Sequence, residues 1–149
     1  MIRTLFAGAL PVVAACTLAG ASPVWAQESS YTAGDYWDVS DIDIVDGQEE
    51  NYLDWLAANW KRDQEWAKSK GYISDYHVLA NDYPRPGEPD LFLVVIYKEQ
   101  PTRAEQERRR KEYEAFVSKN SRMLTKESGE RGPMRKLMGN TQLTELKLK

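Results

Sequence analysis

The stretch that decides the fold is Leu91-Phe92-Leu93-Val94-Val95-Ile96-Tyr97, which is apolar at every position. Alternate side chains of a strand point to opposite faces of a sheet, so both faces of this segment are apolar. That pattern is typical of a central strand that is covered on both sides. The sequence therefore predicts a strand over Asp90–Tyr97 at the centre of a sheet, with apolar cover above and below.

Other elements are predicted on both sides of this strand. Asp46 followed by Glu49, and Thr102 followed by Glu105, have the spacing of capping boxes that open helices. Gly129 and Gly132 mark the end of the second helical region. The predicted elements are a strand over 36–45, a helix that follows Asp46 and runs to about Lys70, a strand over 72–80, a charged helix that opens at Thr102 and extends as far as Leu124, and a strand over 140–149.

The order strand, helix, strand, strand, helix, strand predicts an α+β fold of the ferredoxin-like β-α-β-β-α-β type. In that fold the helices cover one face of an antiparallel sheet. Because the central strand is apolar on both faces, the second face also needs cover. We therefore expect a homodimer in which two copies pair through the faces that carry no helices.

The chain resembles the dimeric α+β barrel superfamily over residues 36–148. The resemblance is carried by the element order, by Asp46-Gly47-Gln48 ahead of Tyr52 and Leu53, and by the Leu91–Tyr97 strand. That superfamily includes cofactor-independent monooxygenases, haem-degrading enzymes and lactone isomerases.

The haem-degrading members combine an Asn, a Trp and a helical His. Here Asn59 and Trp66 fall on the first helix, but His77 falls on a strand. No catalytic residue is carried over from that superfamily, and no cofactor is expected.

Residues 1–26 have the pattern of an export signal. Arg3 supplies the positive start, residues 5–18 are uncharged and apolar, and Val24-Trp25-Ala26 suits cleavage between Ala26 and Gln27. The alternative to cleavage is a transmembrane anchor, but the apolar stretch is short for a ~20-residue span. We therefore expect an exported protein, in the periplasm or outside the cell, with no transmembrane span in the mature chain.

A second processing route is open within the same segment. Val13-Ala14-Ala15-Cys16 resembles the tetrad that precedes a lipidated cysteine, so lipidation at Cys16 is the alternative to cleavage after Ala26 and would tether the protein to a membrane. Either route leaves no cysteine within the folded region. The expected organisation is a signal peptide over 1–26, a flexible leader over 27–35 and a single α+β domain over 36–149.

The charge of the chain disfavours a nucleic-acid partner. The formal net charge is −3, and removal of Arg3 with the signal changes it to −4. Residues 27–56 hold nine acidic and no basic residues, whereas residues 101–149 hold thirteen basic and seven acidic ones. This asymmetry has two interpretations. The acidic and basic regions attract each other, within one fold or between two subunits, or they are solvent-exposed surfaces whose charges differ without a functional reason.

Few residues of the mature chain are suited to catalysis. His77 is the single histidine and the catalytic candidate; the alternative is a strand histidine that satisfies a hydrogen bond. With one histidine and no mature cysteine, no metal site is expected. Trp60, Tyr76 and Tyr97 are candidates for lining a small apolar ligand site between the sheet and the helices.

Trp55 and Trp66 lie off the main apolar stripe of the first helix. They are interpreted either as the edge of the core or as pocket or interface residues.

These patterns favour an exported, homodimeric small-molecule-binding or structural module. The alternative is a cofactor-independent monooxygenase or isomerase of the dimeric α+β barrel type.

Overall fold

The Leu91–Tyr97 segment forms an inner strand of a four-stranded antiparallel sheet with the order β2-β3-β1-β4. The structure is a computed structural model, and it describes residues 29–149. The predicted signal segment, Cys16 and the Ala26–Gln27 junction lie outside the described residues. The elements in chain order are β1 (Tyr31–Ile44), α1 (Glu49–Trp55), a π-helical turn (Leu56–Trp60), α2 (Lys61–Ser69), β2 (Asp75–Ala80), β3 (Leu91–Tyr97), α3 (Arg103–Val117), α4 (Ser121–Glu130) and β4 (Arg135–Leu148).

The sheet and its helices make the fold α+β, as predicted. β3 lies between β1 and β2, so both of its edges are hydrogen-bonded. Leu91 lies opposite Ile42 of β1, and Val94 lies opposite both Val39 of β1 and His77 of β2. Because residues in register share a face, this pairing sorts the sheet side chains into a helix-covered face and an open face.

The core lies between the helix-covered face and the first helical segment. Its buried residues come from the sheet and from the α1 region, and they pack as one cluster. Burying a large apolar side chain of this kind contributes roughly 1.5–3 kcal/mol. The cluster therefore fixes α1 and the π-helical turn to the sheet. Its members are Ile42, Tyr52, Leu56, Leu91 and Leu93.

The first and last strands of the chain are longer than predicted. β1 begins at Tyr31, so residues 31–35, predicted as a flexible leader, belong to the sheet. β4 begins at Arg135 instead of residue 140 and pairs with β1 along its length, from Ile44–Arg135 to Tyr31–Leu148. The composition of the leader favours flexibility, but its backbone is hydrogen-bonded to the end of the chain. That partner is distant in sequence and leaves no local signal.

The predicted capping box at Asp46 is wrong. Gly47 adopts a positive φ of 77° within a turn, and Gln48 precedes the helix without a side-chain capping bond. Glu49 and Glu50 in the first turn still favour the positive end of the helix dipole. The capping box at Thr102 is confirmed, because its hydroxyl accepts from the Glu105 amide at 3.2 Å.

The second helical region is two helices instead of one. α3 ends where Ser118 adopts a left-handed φ of 55°, and Asn120 then caps α4 by accepting from the Met123 amide at 3.0 Å. The break carries neither glycine nor proline, which is why the sequence pattern predicts a continuous helix. Within residues 29–149, no helix has the length and apolar character that crossing a membrane requires.

Candidate functional site

A cleft of about 750 Å³ lies among the helices, and we call it the helical cleft. One wall is the α1–α2 segment with its π-helical turn, the second is the C-terminal part of α3, and the third is α4 with the residues that follow it. Cavities of this volume are typical of small-molecule sites. Its apolar and aromatic lining includes Trp55, Trp60, Trp66, Tyr113, Leu124 and Met134.

The π-helical turn determines how the first wall presents its side chains. In a π-helix the hydrogen bonds run from residue i to i+5, so Trp55 and Trp60 are one wide turn apart, and both line the cleft. Asn59, which also lines the cleft, donates from Nδ2 to the Trp55 carbonyl at 3.3 Å. Single π-helical turns within α-helices are frequent at functional sites.

The second wall is joined to the first by aromatic and polar contacts. Trp66 of α2 stacks on Phe116 of α3 with ring centroids 5.0 Å apart and planes inclined by 15°. The Tyr113 hydroxyl donates to Asp63 at 2.8 Å, and Asp63 also forms an ion pair with Arg62 at 2.8 Å. Burial and the Asp63 carboxylate raise the pKa of Tyr113. Tyr113 therefore acts as a neutral hydrogen-bond donor that ties α3 to α2.

A partly buried arginine completes the third wall. The Arg131 guanidinium lies 4.3 Å from the centroid of the Trp55 ring, and its Nη1 donates to the Glu127 carbonyl at 3.2 Å. Burial, followed by the charge of nearby Arg135, lowers the pKa of Arg131. Within residues 29–149, the buried Nε atoms of Arg131 and Arg135 have no hydrogen-bond partner.

The structure separates the residues predicted to line a ligand site. Trp60 and Tyr76 are in edge-to-face contact, with ring centroids 5.4 Å apart. The Tyr76 hydroxyl donates to Glu65, which raises the pKa of Tyr76 to about 12. Tyr97 lies apart, in a smaller cavity of about 400 Å³, where it contacts the amide of Gln142.

His77 lies on the open face, away from the helices. It is exposed, and its ring centroid is 6.5 Å from that of Trp37 on β1. Tyr76 and Tyr97 lie on the helix-covered face, and Trp60 belongs to the π-helical turn above it, so the four candidates do not form one site. Within residues 29–149, no three His, Cys, Asp or Glu side chains come together as metal ligands.

The open face is the second candidate surface. By register it carries Trp37 and Val39 of β1 together with Phe92, Val94 and Ile96 of β3. Val94 and Ile96 are 2% and 7% exposed although none of the helices within residues 29–149 packs on this face. Leu79 of β2 and Leu143 of β4 lie on the same face and are 48% and 50% exposed.

Sequence reasoning identified some residues of the helical cleft and missed others. Trp55 and Trp66 were left open between the edge of the core and a pocket; both line the cleft, and Trp55 also packs against the core. Arg131 was not predicted as a site residue, because a basic residue near Gly129 and Gly132 is typical of the end of a helix. No family model matches this chain, and neither a curated protein nor a solved structure matches it.

Proposed function

We propose that this protein is an exported homodimer that binds a small molecule. Each copy is a ferredoxin-like domain, and two copies pair through their open sheet faces in the manner of the dimeric α+β barrel superfamily. The observation that carries the proposal is the apolar open face, on which Leu79 and Leu143 remain about half exposed. Exposed apolar patches larger than a few hundred Å² mark interaction sites.

The size of the open face supports pairing with a second copy. Four strands of the observed lengths give a face of roughly 650 Å² in projection, at ~4.8 Å between strands and ~3.3 Å per residue. That is comparable with the ~800 Å² that each partner contributes to a standard interface. The rim carries both signs of charge, with Asp43 opposite Lys136, which suits a self-complementary twofold contact.

The helical cleft supports the ligand-binding half of the proposal. It lies on the helix side of the sheet, so pairing through the open face would leave it accessible. Its tryptophans offer flat apolar walls, and Arg131 offers a charged group at the edge.

The enzyme alternative has less support. Its proposed base, His77, faces away from the cleft, and none of the described residues near the cleft is a histidine or cysteine.

The export proposal rests on the signal pattern and is tested by mass spectrometry of the intact protein from cells. We expect a chain that begins at Gln27. A chain that begins at a lipid-modified Cys16 would show that the exported protein is tethered to a membrane. A cytoplasmic chain that still begins at Met1 would contradict export.

The dimer is tested by sedimentation equilibrium of the purified protein over a hundredfold range of concentration. We expect a mass twice that of the mature chain across the micromolar range. A mass equal to one chain at every concentration would rule out the homodimer, while ligand binding by a monomer would remain testable.

A further inference from the structure

The aromatic walls of the helical cleft fit a flat ligand. Trp55 and Trp60 flank the π-helical turn, and Trp66 and Tyr113 continue the lining toward α3. Indole and phenol rings bury large apolar areas and favour stacked or edge-to-face contacts with other rings. The same lining includes polar side chains such as Asn59 and Gln64, so a planar body that carries a polar or charged group is the shape that it accommodates best.

Most charged groups at the cleft already have partners of opposite charge. Asp63 forms an ion pair with Arg62 at 2.8 Å, and Glu127 forms one with Lys119 at 2.6 Å. Glu130 lies 3.6 Å from Lys126. These pairs leave the acidic side chains of the cleft balanced.

Arg131 is the exception among these groups. In the part of the chain that the structure describes, no carboxylate lies within 4.0 Å of Arg131 or Arg135. Burial and the charge of Arg135 lower the pKa of Arg131, and the Glu127 carboxylate, which is paired with Lys119, opposes this shift only in part. The Nε of each arginine is buried and has no hydrogen-bond partner within residues 29–149. Stacking on Trp55 at 4.3 Å stabilises the cation, and Nη1 donates to the Glu127 carbonyl at 3.2 Å, but neither contact satisfies the Nε–H group.

A carboxylate would supply what Arg131 lacks. A partly buried cation without a carboxylate in ion-pair contact is unfavourable, and a guanidinium matches a carboxylate through two parallel N–H···O bonds. An anion beside Arg131 would also reduce its repulsion with Arg135.

We propose that the helical cleft binds a flat aromatic carboxylate, with the ring system between the tryptophans and the carboxylate at Arg131. This inference rests on the proposed small-molecule binding and specifies its ligand class. Arg131 is assigned as the specificity-determining residue, because it contacts the group that distinguishes an acid from its neutral analogue.

The test compares two probes that share a ring system and differ in charge. Binding of 2-naphthoate and of 2-naphthamide to the purified protein is measured by calorimetry, in the wild type and in Arg131→Gln, Arg131→Lys and Arg122→Gln. Arg122 lies on α4 but does not line the cleft, so its variant controls for the loss of one positive charge.

We expect the wild type to bind naphthoate about tenfold more tightly than naphthamide, as a charge-assisted pair provides. Arg131→Gln should abolish this preference, Arg131→Lys should keep part of it, and Arg122→Gln should leave it intact. Equal affinities in the wild type, a preference that survives Arg131→Gln, or no binding of either probe up to about 1 mM would overturn the inference.

The comparison of the two probes on the wild-type protein tests the ligand class even if a variant fails to fold. The molar mass of the same samples distinguishes the proposed ligand class from the proposed dimer. A dimer without preference for naphthoate contradicts the ligand class, whereas a monomer that prefers naphthoate contradicts the dimer.

Discussion

The rings of Trp37 and His77 approach to 6.5 Å between centroids across the open face, although their strands are separated by β3. The two rings approach each other above β3, where Trp37 is paired with Ile96 and His77 with Val94, and this accounts for the low exposure of Val94 and Ile96 among the described residues. The outer leucines of the face receive no such cover, since Leu79 and Leu143 remain about half exposed. The open face is therefore closed at its centre and carries one half-exposed leucine on each edge strand, beside polar residues such as Asp75 of β2 and Thr141 of β4.

The contact between Trp66 and Phe116 should be a main source of stability between α2 and α3. Trp66 also lies against Tyr72 and Tyr113, so Trp66→Ala removes several ring contacts at once. Fully buried aromatics cost ~3–5 kcal/mol on truncation, and for this partly buried ring we expect about 2 kcal/mol in urea unfolding. Tyr83→Ala is the matched control, because Tyr83 is 90% exposed and its removal should change the free energy of unfolding very little.

The N-cap of α3 offers a second stability test. The Thr102 hydroxyl accepts from the Glu105 amide at 3.2 Å, so Thr102→Ala should lower the free energy of unfolding by about 1 kcal/mol. Thr102→Ser keeps the hydroxyl and should retain most of that stability. Chemical denaturation measures both variants, and equal loss in the two would assign the effect to the lost methyl group instead of the capping bond.

Glu105 should make α3 sensitive to acid. Its contacts with Arg108 at 2.6 Å and Arg109 at 2.7 Å hold the pKa of its carboxyl at about 2, below the ordinary value of 4.5. The folded state therefore favours the ionised form, and this contribution is present above pH 4.5 and is lost as the pH falls toward 2.

Unfolding free energies of wild type and Glu105→Gln, measured between pH 7 and pH 2, should consequently converge at low pH. Glu99→Gln is the control, since Glu99 makes no ion pair among residues 29–149. A difference between wild type and Glu105→Gln that stays constant down to pH 2 would contradict the assigned ion pairs.

The sequence predicts the inner strand well because its signal is local. Every residue from Leu91 to Tyr97 is apolar, and a segment of that kind is stable as a strand where both faces are covered. The start of β1 could not be predicted in this way. Tyr31 and its neighbours form a strand because they pair with Leu148 and the residues before it. Hydrophobic alternation over a few residues does not indicate a pairing partner that is so distant in the sequence.

In the helical cleft, too, some residues could be predicted from the sequence and others could not. Trp55 and Trp66 stand out in the sequence because they lie off the apolar stripe, which indicates a role at an edge or a pocket. Arg131 could not be identified, because its importance depends on how α4 docks over Trp55. The break at Ser118 that allows this docking lacks the glycine or proline by which helix ends are usually recognised.

Pairing through the open face is tested most directly by the molar mass, from light scattering, of two leucine variants on β4. Leu143 and Leu146 are 50% and 53% exposed and point to opposite faces of the strand. A charge at Leu143 would be buried in the proposed interface, whereas a charge at Leu146 would remain in water. We predict one chain mass for Leu143→Glu and twice that mass for Leu146→Glu and the wild type. A dimeric Leu143→Glu protein would contradict the account.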